Sequence, residues 1–360
     1  MRKPFARLVK CRASNQSQDL GVTISELVAT SGAQMRIFDM GRRVSKVNKA
    51  LFAEFEQLAR PYPTPYLRHA WLGILSWHPK QPGQHSIWFL KLPLDEQNIL
   101  QPGPRDAFLQ HWLRVAAAPE QDHGEAPCAY KPDGNRMAYF HALAAKVLDQ
   151  PGSQYYATAR GYLSGDSGWD NWQGVGLQGL AEVVARLEEE GNQVLVRDAM
   201  AHMPAVPRNV VLGFLENVNV GHELTVAIND RLATVVAEQA SAADLAAFAR
   251  GLSQSTNVEQ RRALLLAILA HPMAADMEVM ASVSSRCWQD LEGDLLLQYL
   301  ERLAETDQQG QAFMPLVSDL MTLPGKREHI MAAFRHPKRT ERLSQAIGDL
   351  LSRVRQGGMQ

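Results

Sequence analysis

Arg262-Ala-Leu-Leu-Leu-Ala-Ile-Leu-Ala270 and Gly293-Asp-Leu-Leu-Leu-Gln-Tyr-Leu-Glu-Arg-Leu303 decide how most of this chain folds. In the first, Leu264, Leu265, Ile268 and Leu269 recur at helical spacing; in the second, Leu295, Leu296, Tyr299 and Leu303 do the same. Both are helices with a face to bury. About eleven such segments follow one another from Pro104 to Arg355, and helix pairs are expected to start near Pro207, Ser241, Met273, Gln309 and Lys338. That period of roughly 30 to 36 residues lies within the range of two-helix repeats. A helix pair cannot bury its apolar face alone and packs on its neighbours, so the spacing predicts an irregular α-solenoid of HEAT type with a long exposed surface.

Upstream, the pattern changes. Thr23-Ile-Ser-Glu26 is a capping box that opens a short helix, and Gly32 stands where a left-handed residue would close it. Gln34 to Met40 reads as a strand, and Ser45 is expected to open a second helix through Val47, Leu51, Phe55 and Leu58. Pro61, Pro63 and Pro65 end that helix. The apolar runs His69 to Trp77 and Ser86 to Leu92, joined by Pro79 to Gly83, read as a β-hairpin. The fold class expected is therefore α+β, mainly α, with a three-stranded module backed by helices and then the helical repeats. The expected domains are a disordered basic leader (1–20), the α+β module (21–118), a linker (119–135) and the repeat domain (136–360). The linker assignment rests on Pro119 to Asn135, rich in Pro, Gly, Asp and Glu with little periodicity.

Composition narrows the function classes. The 360 residues are 46% hydrophobic and 21% charged with a net charge of −1, which suits a folded protein and counts against a polyanion binder. Three widely separated cysteines, Cys11, Cys128 and Cys287, fit a reducing, cytoplasmic setting and form no zinc pair. No run approaches the ~18 apolar residues of a membrane span. Charge is uneven, however. Residues 326–355 hold Lys326, Arg327, Arg335, Lys338, Arg339, Arg342, Arg353 and Arg355 against Glu328, Glu341 and Asp349. Such an end can attract nucleic acid, but a solvated capping helix pair with Phe334, Leu343, Ile347 and Leu350 packed inward is the favoured reading.

Three motifs fail on context. Gly165-Asp-Ser-Gly168 matches the tetrapeptide around a trypsin-like nucleophile, yet it sits between helices with Asp166 or Ser167 as a cap. Gly174-Val-Gly-Leu-Gln-Gly179 fits a dinucleotide fingerprint, but no strand precedes it, and the glycines are expected to permit close helix packing. His69, His78 and His85 lack a Cys or carboxylate at ligand spacing, so neither a metal nor a cofactor is expected.

The densest polar chemistry lies at Asp39-Met-Gly-Arg-Arg43 and Lys91-Leu-Pro-Leu-Asp-Glu96, both at strand ends. A small anion or peptide could be held by Arg42, Arg43 and Lys91, oriented by Asp39 and Asp95; the alternative is a set of structural ion pairs and turn caps. The same stretches, Phe38 to Val44 and Trp88 to Gln97, resemble a bacterial family of unknown function, domain-of-unknown-function family 3549, over most of the chain from about Val22. The resemblance implies no activity and carries over no catalytic residue. A scaffold or adaptor that binds a protein partner is the leading expectation. An enzyme or ligand site on the N-terminal sheet is the rival, and nucleic-acid binding is the least favoured.

Overall fold

The computed structural model describes residues 23–118, 120–306 and 312–357. The chain divides into two compact units, Met1–Asp133 and Gly134–Gln360. The expected leader lies outside the described residues.

In the first unit, α1 (Ile24–Thr30) has the expected capping box: the Thr23 hydroxyl accepts from the Glu26 amide at 3.1 Å, and the Glu26 carboxylate accepts from the Thr23 amide at 2.9 Å. Gly32, at φ 72°, closes the helix. Strands β1 (Gln34–Asp39), β2 (Ser45–Val47), β3 (His69–His78) and β4 (Gln81–Pro93) form one antiparallel sheet in the order β2-β1-β3-β4. The three-stranded expectation is thus corrected to four. Ser45 does not open a helix: residues 45–47 pair with Asp39, Phe38 and Ile37, and the helix α2 (Lys49–Glu56) starts later, capped by Asn48. Three residues are too few to show strand alternation, and Val47 happens to fall in phase with Leu51 and Phe55.

Helices α1 and α2 pack on β1, and α3 (Pro102–Ala117) packs on β4. Their apolar residues Ile24, Val28, Phe52, Phe55, Phe108 and Trp112 join Ile37, Leu72, Ile74, Leu90 and Leu92 of the sheet in one core. Glu56 ties two of these helices together. Buried beneath the start of α1, its carboxylate accepts from the Ile24 amide (2.7 Å) and from the Ser25 amide and hydroxyl (3.0 and 2.6 Å). Burial pushes its acidity toward the protonated form, and these same bonds oppose the shift.

The segment expected to be a linker has two parts. Glu120–Glu125 carries little buried side chain, whereas residues 128–130 lie along the outer edge of β4: the Lys91 amide donates to Cys128 O (2.7 Å) and the Tyr130 amide to Phe89 O (3.1 Å). The division between units comes after them, at Asp133. Composition alone hides this because the contacts are made by backbone groups.

The second unit is helical: α4 (Gly134–Val147), α5 (Gln154–Leu163), α6 (Leu177–Ala185), α7 (Asn192–Ala199), α8 (Ala205–Leu215), α9 (His222–Ala237), α10 (Ala242–Leu252), α11 (Val258–Ala270), α12 (Met277–Arg286), α13 (Gly293–Thr306), α14 (Phe313–Met321), α15 (Lys326–Phe334) and α16 (Glu341–Gly357). Helices two apart in sequence are neighbours: α4 meets α6, then α8, α10, α12 and α14 follow in turn, while α5 meets α7, α7 meets α9, and α11 meets α13. The pair starts expected near Pro207, Ser241, Met273 and Lys338 fall close to those of α8, α10, α12 and α16; Gln309 lies outside the described residues. A 3-10 turn (Trp169–Gly174) leads into α6. Among the described residues no helix is long and apolar enough to cross a membrane.

Glycines set two of the closest approaches. A Cβ on Gly179 would lie 2.1 Å from Tyr155 O, so α6 and α5 touch backbone to backbone, as the packing reading of the 174–179 glycines requires. One on Gly251 would lie 2.5 Å from Leu212 Cδ2, at the α10–α8 contact. Gly165 and Gly168, at φ 83° and 76°, shape the turn after α5; Gly168, not Asp166 or Ser167, holds the cap position of the 3-10 turn. At the basic end, Phe334, Leu343, Ile347 and Leu350 are buried, and α16 packs on α13 and α14. Lys326 is buried too, donating to Gln289 O and Leu291 O at 3.2 Å each, so it is no part of a surface charge.

Ile268 is 1% exposed on the inner side of α11. Its truncation in Ile268→Ala is expected to cost roughly 2 to 5 kcal/mol, against about 0.5 kcal/mol or less for the exposed Glu259→Ala; equal midpoints in chemical denaturation would show the helix face to be misassigned. Limited proteolysis is expected to cut first at 120–125 and to spare 126–130, because the latter are held to β4. A first cut inside the helical unit would contradict this.

Candidate functional site

The polar residues singled out at the strand ends come together only in part. Asp39, the last residue of β1, is buried; its Oδ1 accepts from the Gly41 amide at 2.6 Å and its Oδ2 accepts from the Thr64 hydroxyl. Arg42, also buried, donates from Nε to Pro65 O at 3.0 Å and lies with its guanidinium 5.6 Å from the Tyr66 ring centroid. Both side chains therefore grip the proline-rich loop 61–66. Gly41 is needed at the bend, since a Cβ there would lie 3.1 Å from Tyr66 Cβ and 3.2 Å from Asp39 Oδ1.

Lys91 stands across β3 from this bend. Trp71 pairs with Lys91 in the ladder and accepts the Met40 amide through its carbonyl at 2.8 Å. The Lys91 ammonium lies 4.6 Å from the Trp71 ring centroid, a cation–π contact. Trp71 in turn donates from Nε1 to Tyr66 O (2.8 Å) and meets Tyr130 edge-on at 4.8 Å. Asp39, Arg42 and Lys91 thus surround one aromatic pair, Tyr66 and Trp71. Arg43 follows, half-buried, in the turn between β1 and β2. Asp95 is elsewhere in role: exposed, it accepts from the Gln97 and Ile99 amides at 2.8 Å each and caps the turn after β4.

Two features of this neighbourhood escaped the sequence reading. The Tyr66 to His69 connection is a two-residue turn in which Leu67 (φ 49°) and Arg68 (φ 59°) are both left-handed, a conformation usually given to Asn-Gly. Its carbonyls are all engaged: Tyr66 O by Trp71, Leu67 O by His69 Nδ1 at 2.6 Å, and Arg68 O by the Leu94 amide at 3.0 Å. The neutral imidazole must carry its proton on Nδ1 to do this. Burial lowers the His69 pKa, the Leu67 bond opposes the shift, and the Lys91 charge adds to it. The second feature is Tyr62, whose phenol is pushed well above its ordinary range by burial, with the Asp39 charge adding to the effect. The alternating prolines at 61, 63 and 65, interleaved with Tyr62 and Tyr66, were the available signal. The histidines do not converge: His69 pairs with Pro93 at one end of β3, while His78 and His85 lie at the other. Among the described residues no group of three metal-ligating side chains occurs.

Chemically, this arrangement clamps a loop. Removing the Asp39 carboxylate leaves the Gly41 amide and Thr64 hydroxyl without their acceptor, so Asp39→Ala is expected to cost about 1 to 3 kcal/mol. Asp95→Ala, at an exposed turn, is expected to cost about 1 kcal/mol or less. Denaturation midpoints that shift equally in the two variants would refute the clamp.

Comparison with curated proteins and with solved structures finds no match. A family model described as a protein of unknown function (DUF3549) matches residues 22–351. With that match over nearly its whole length, the chain belongs to the DUF3549 family.

Proposed function

We propose that this chain is a non-catalytic scaffold or adaptor that binds a protein partner through its helical unit. One observation supports this: α4, α6, α8, α10, α12 and α14 pack each on the next, a stacked row of the kind that offers a long binding surface. The polar groups of the N-terminal sheet end also support it, since Asp39 and Arg42 hold the loop and Asp95 caps a turn. The expected outcome of purifying the tagged full-length protein from its own cells, with mass spectrometry, is one stoichiometric protein partner whose cross-links map to residues 134–357. A purified protein carrying no such partner would end this reading.

A second reading, a small anion site at Arg42, Arg43 and Lys91, is favoured by the left-handed Leu67–Arg68 turn, because backbone strain clusters at functional sites. Titration with inorganic phosphate is expected to show saturable binding that Lys91→Met removes; a flat titration rejects it.

A further inference from the structure

Between Glu26 and Glu54 the chain carries five cations, Arg36, Arg42, Arg43, Lys46 and Lys49, and a single acid, Asp39. Asp39 is buried and already holds the Gly41 amide and the Thr64 hydroxyl. Arg42 donates to Pro65 O in the proline loop. Arg36, Lys46 and Lys49 lie apart from that loop, where β1, β2 and the start of α2 meet.

The strand register brings these three together. Lys46 stands opposite Phe38 in the β1–β2 ladder, so it shares a sheet face with Arg36, two residues before Phe38, as its diagonal neighbour. Long side chains reach one another across such a diagonal, and like charges there are destabilising. Lys49 opens α2 and feels both charges. Burial lowers its pKa, the Arg36 and Lys46 charges add to the shift, and no carboxylate among the described residues opposes it. A lysine in the first turn also lies at the positive end of the helix dipole, and that turn holds no acid.

Among the described residues no carboxylate pairs with any of the three; Glu54, further along α2, pairs with Arg60 at 3.2 Å. Arg36 donates to its own chain, at Met35 O (3.1 Å), and its guanidinium lies 5.6 Å from the Trp77 ring centroid, which holds the group in place. Lys46 and Lys49 are exposed. The Asn48 side chain already accepts from the Ala50 and Leu51 amides, so the unmatched charge at this corner belongs to side chains and not to a bare helix end.

We propose that Arg36, Lys46 and Lys49 form a binding site for a phosphate monoester group. Three neighbouring cations match one compact dianion, with the guanidinium fork able to take two of its oxygens and the lysines acting as point charges. An extended nucleic-acid backbone calls for a longer basic groove or stripe. The site is distinct from that at Arg42, Arg43 and Lys91: Lys91 pairs with Trp71 and Arg36 with Leu75, four residues further along β3. It also stands independently of the adaptor reading.

The first probe is inorganic phosphate, added to the full chain at low ionic strength, with chloride of equal ionic strength as the comparison. Phosphate is expected to raise the thermal midpoint saturably, as a ligand of the folded state does. In calorimetry, Lys46→Met/Lys49→Met is expected to weaken binding about tenfold or more, and Lys91→Met to leave it in place. Lys49→Glu separates binding from folding: it is expected to raise the midpoint of the phosphate-free protein, by relieving repulsion at the helix start, and to abolish the further rise with phosphate. Vesicles of phosphatidylcholine with phosphatidic acid distinguish the sources of the group. Co-sedimentation that phosphate competes away and the double variant loses assigns a lipid headgroup, whereas phosphate binding without co-sedimentation assigns a soluble phosphate ester. A response to phosphate no greater than that to chloride, one kept in both the double variant and Lys49→Glu, or one removed by Lys91→Met alone would overturn the proposal.

Discussion

Most helices described in the second unit are too short to stand alone in water. Most of them have 8 to 14 residues, from α7 to α13, which is at or below the length at which an isolated helix is marginal. They are stabilised by burying apolar faces on one another, most often on the helix two along in sequence. The spacing of the pairs, the glycines at the closest approaches and the polar groups that remain inside follow from that requirement. Gly251 illustrates it: any side chain there would meet Leu212, and the α10–α8 contact would open.

Polar side chains then determine which neighbour fits where. Arg208 of α8 pairs with Asp244 of α10, Arg250 of α10 donates to the Ser282 hydroxyl of α12 at 3.1 Å, and Arg261 of α11 pairs with Asp290. Arg286, at the end of α12, reaches Glu216, at the end of α8, at 2.7 Å. That pair joins helices two steps apart in the stack, across the end of α10. A buried charge left without its partner is strongly destabilising, so these contacts disfavour a slipped stack more than they strengthen the correct one.

The N-terminal unit obeys a different constraint. Its sheet has a short edge strand, β2, on one side and the long β4 on the other, and open strand edges invite unwanted pairing. Residues 128–130 cover part of the β4 edge, while the loop 61–66 is held at the sheet end by Asp39 and Arg42. Asp39 and Arg42, two of the five residues read as a ligand site, are thus also the ones that fix the loop.

Much of this was legible in the sequence. Helical spacing around Leu265, Ile268 and Leu269, the Thr23–Glu26 capping box and the turn at Gly32 are local signals, decided by residues within one or two turns of each other. Strand β2, the docking of 128–130 on β4 and the grip of Asp39 and Arg42 on the proline loop were not legible. Each depends on a partner brought close by the fold: β2 on the edge of β1, Asp39 on Thr64, Lys91 on Trp71. The sequence likewise shows α11 to be apolar on nearly all sides, but not that its Leu266 stays exposed. Which face of a helix meets a neighbour is decided by the packing of the helices around it, and only the tertiary structure holds that information.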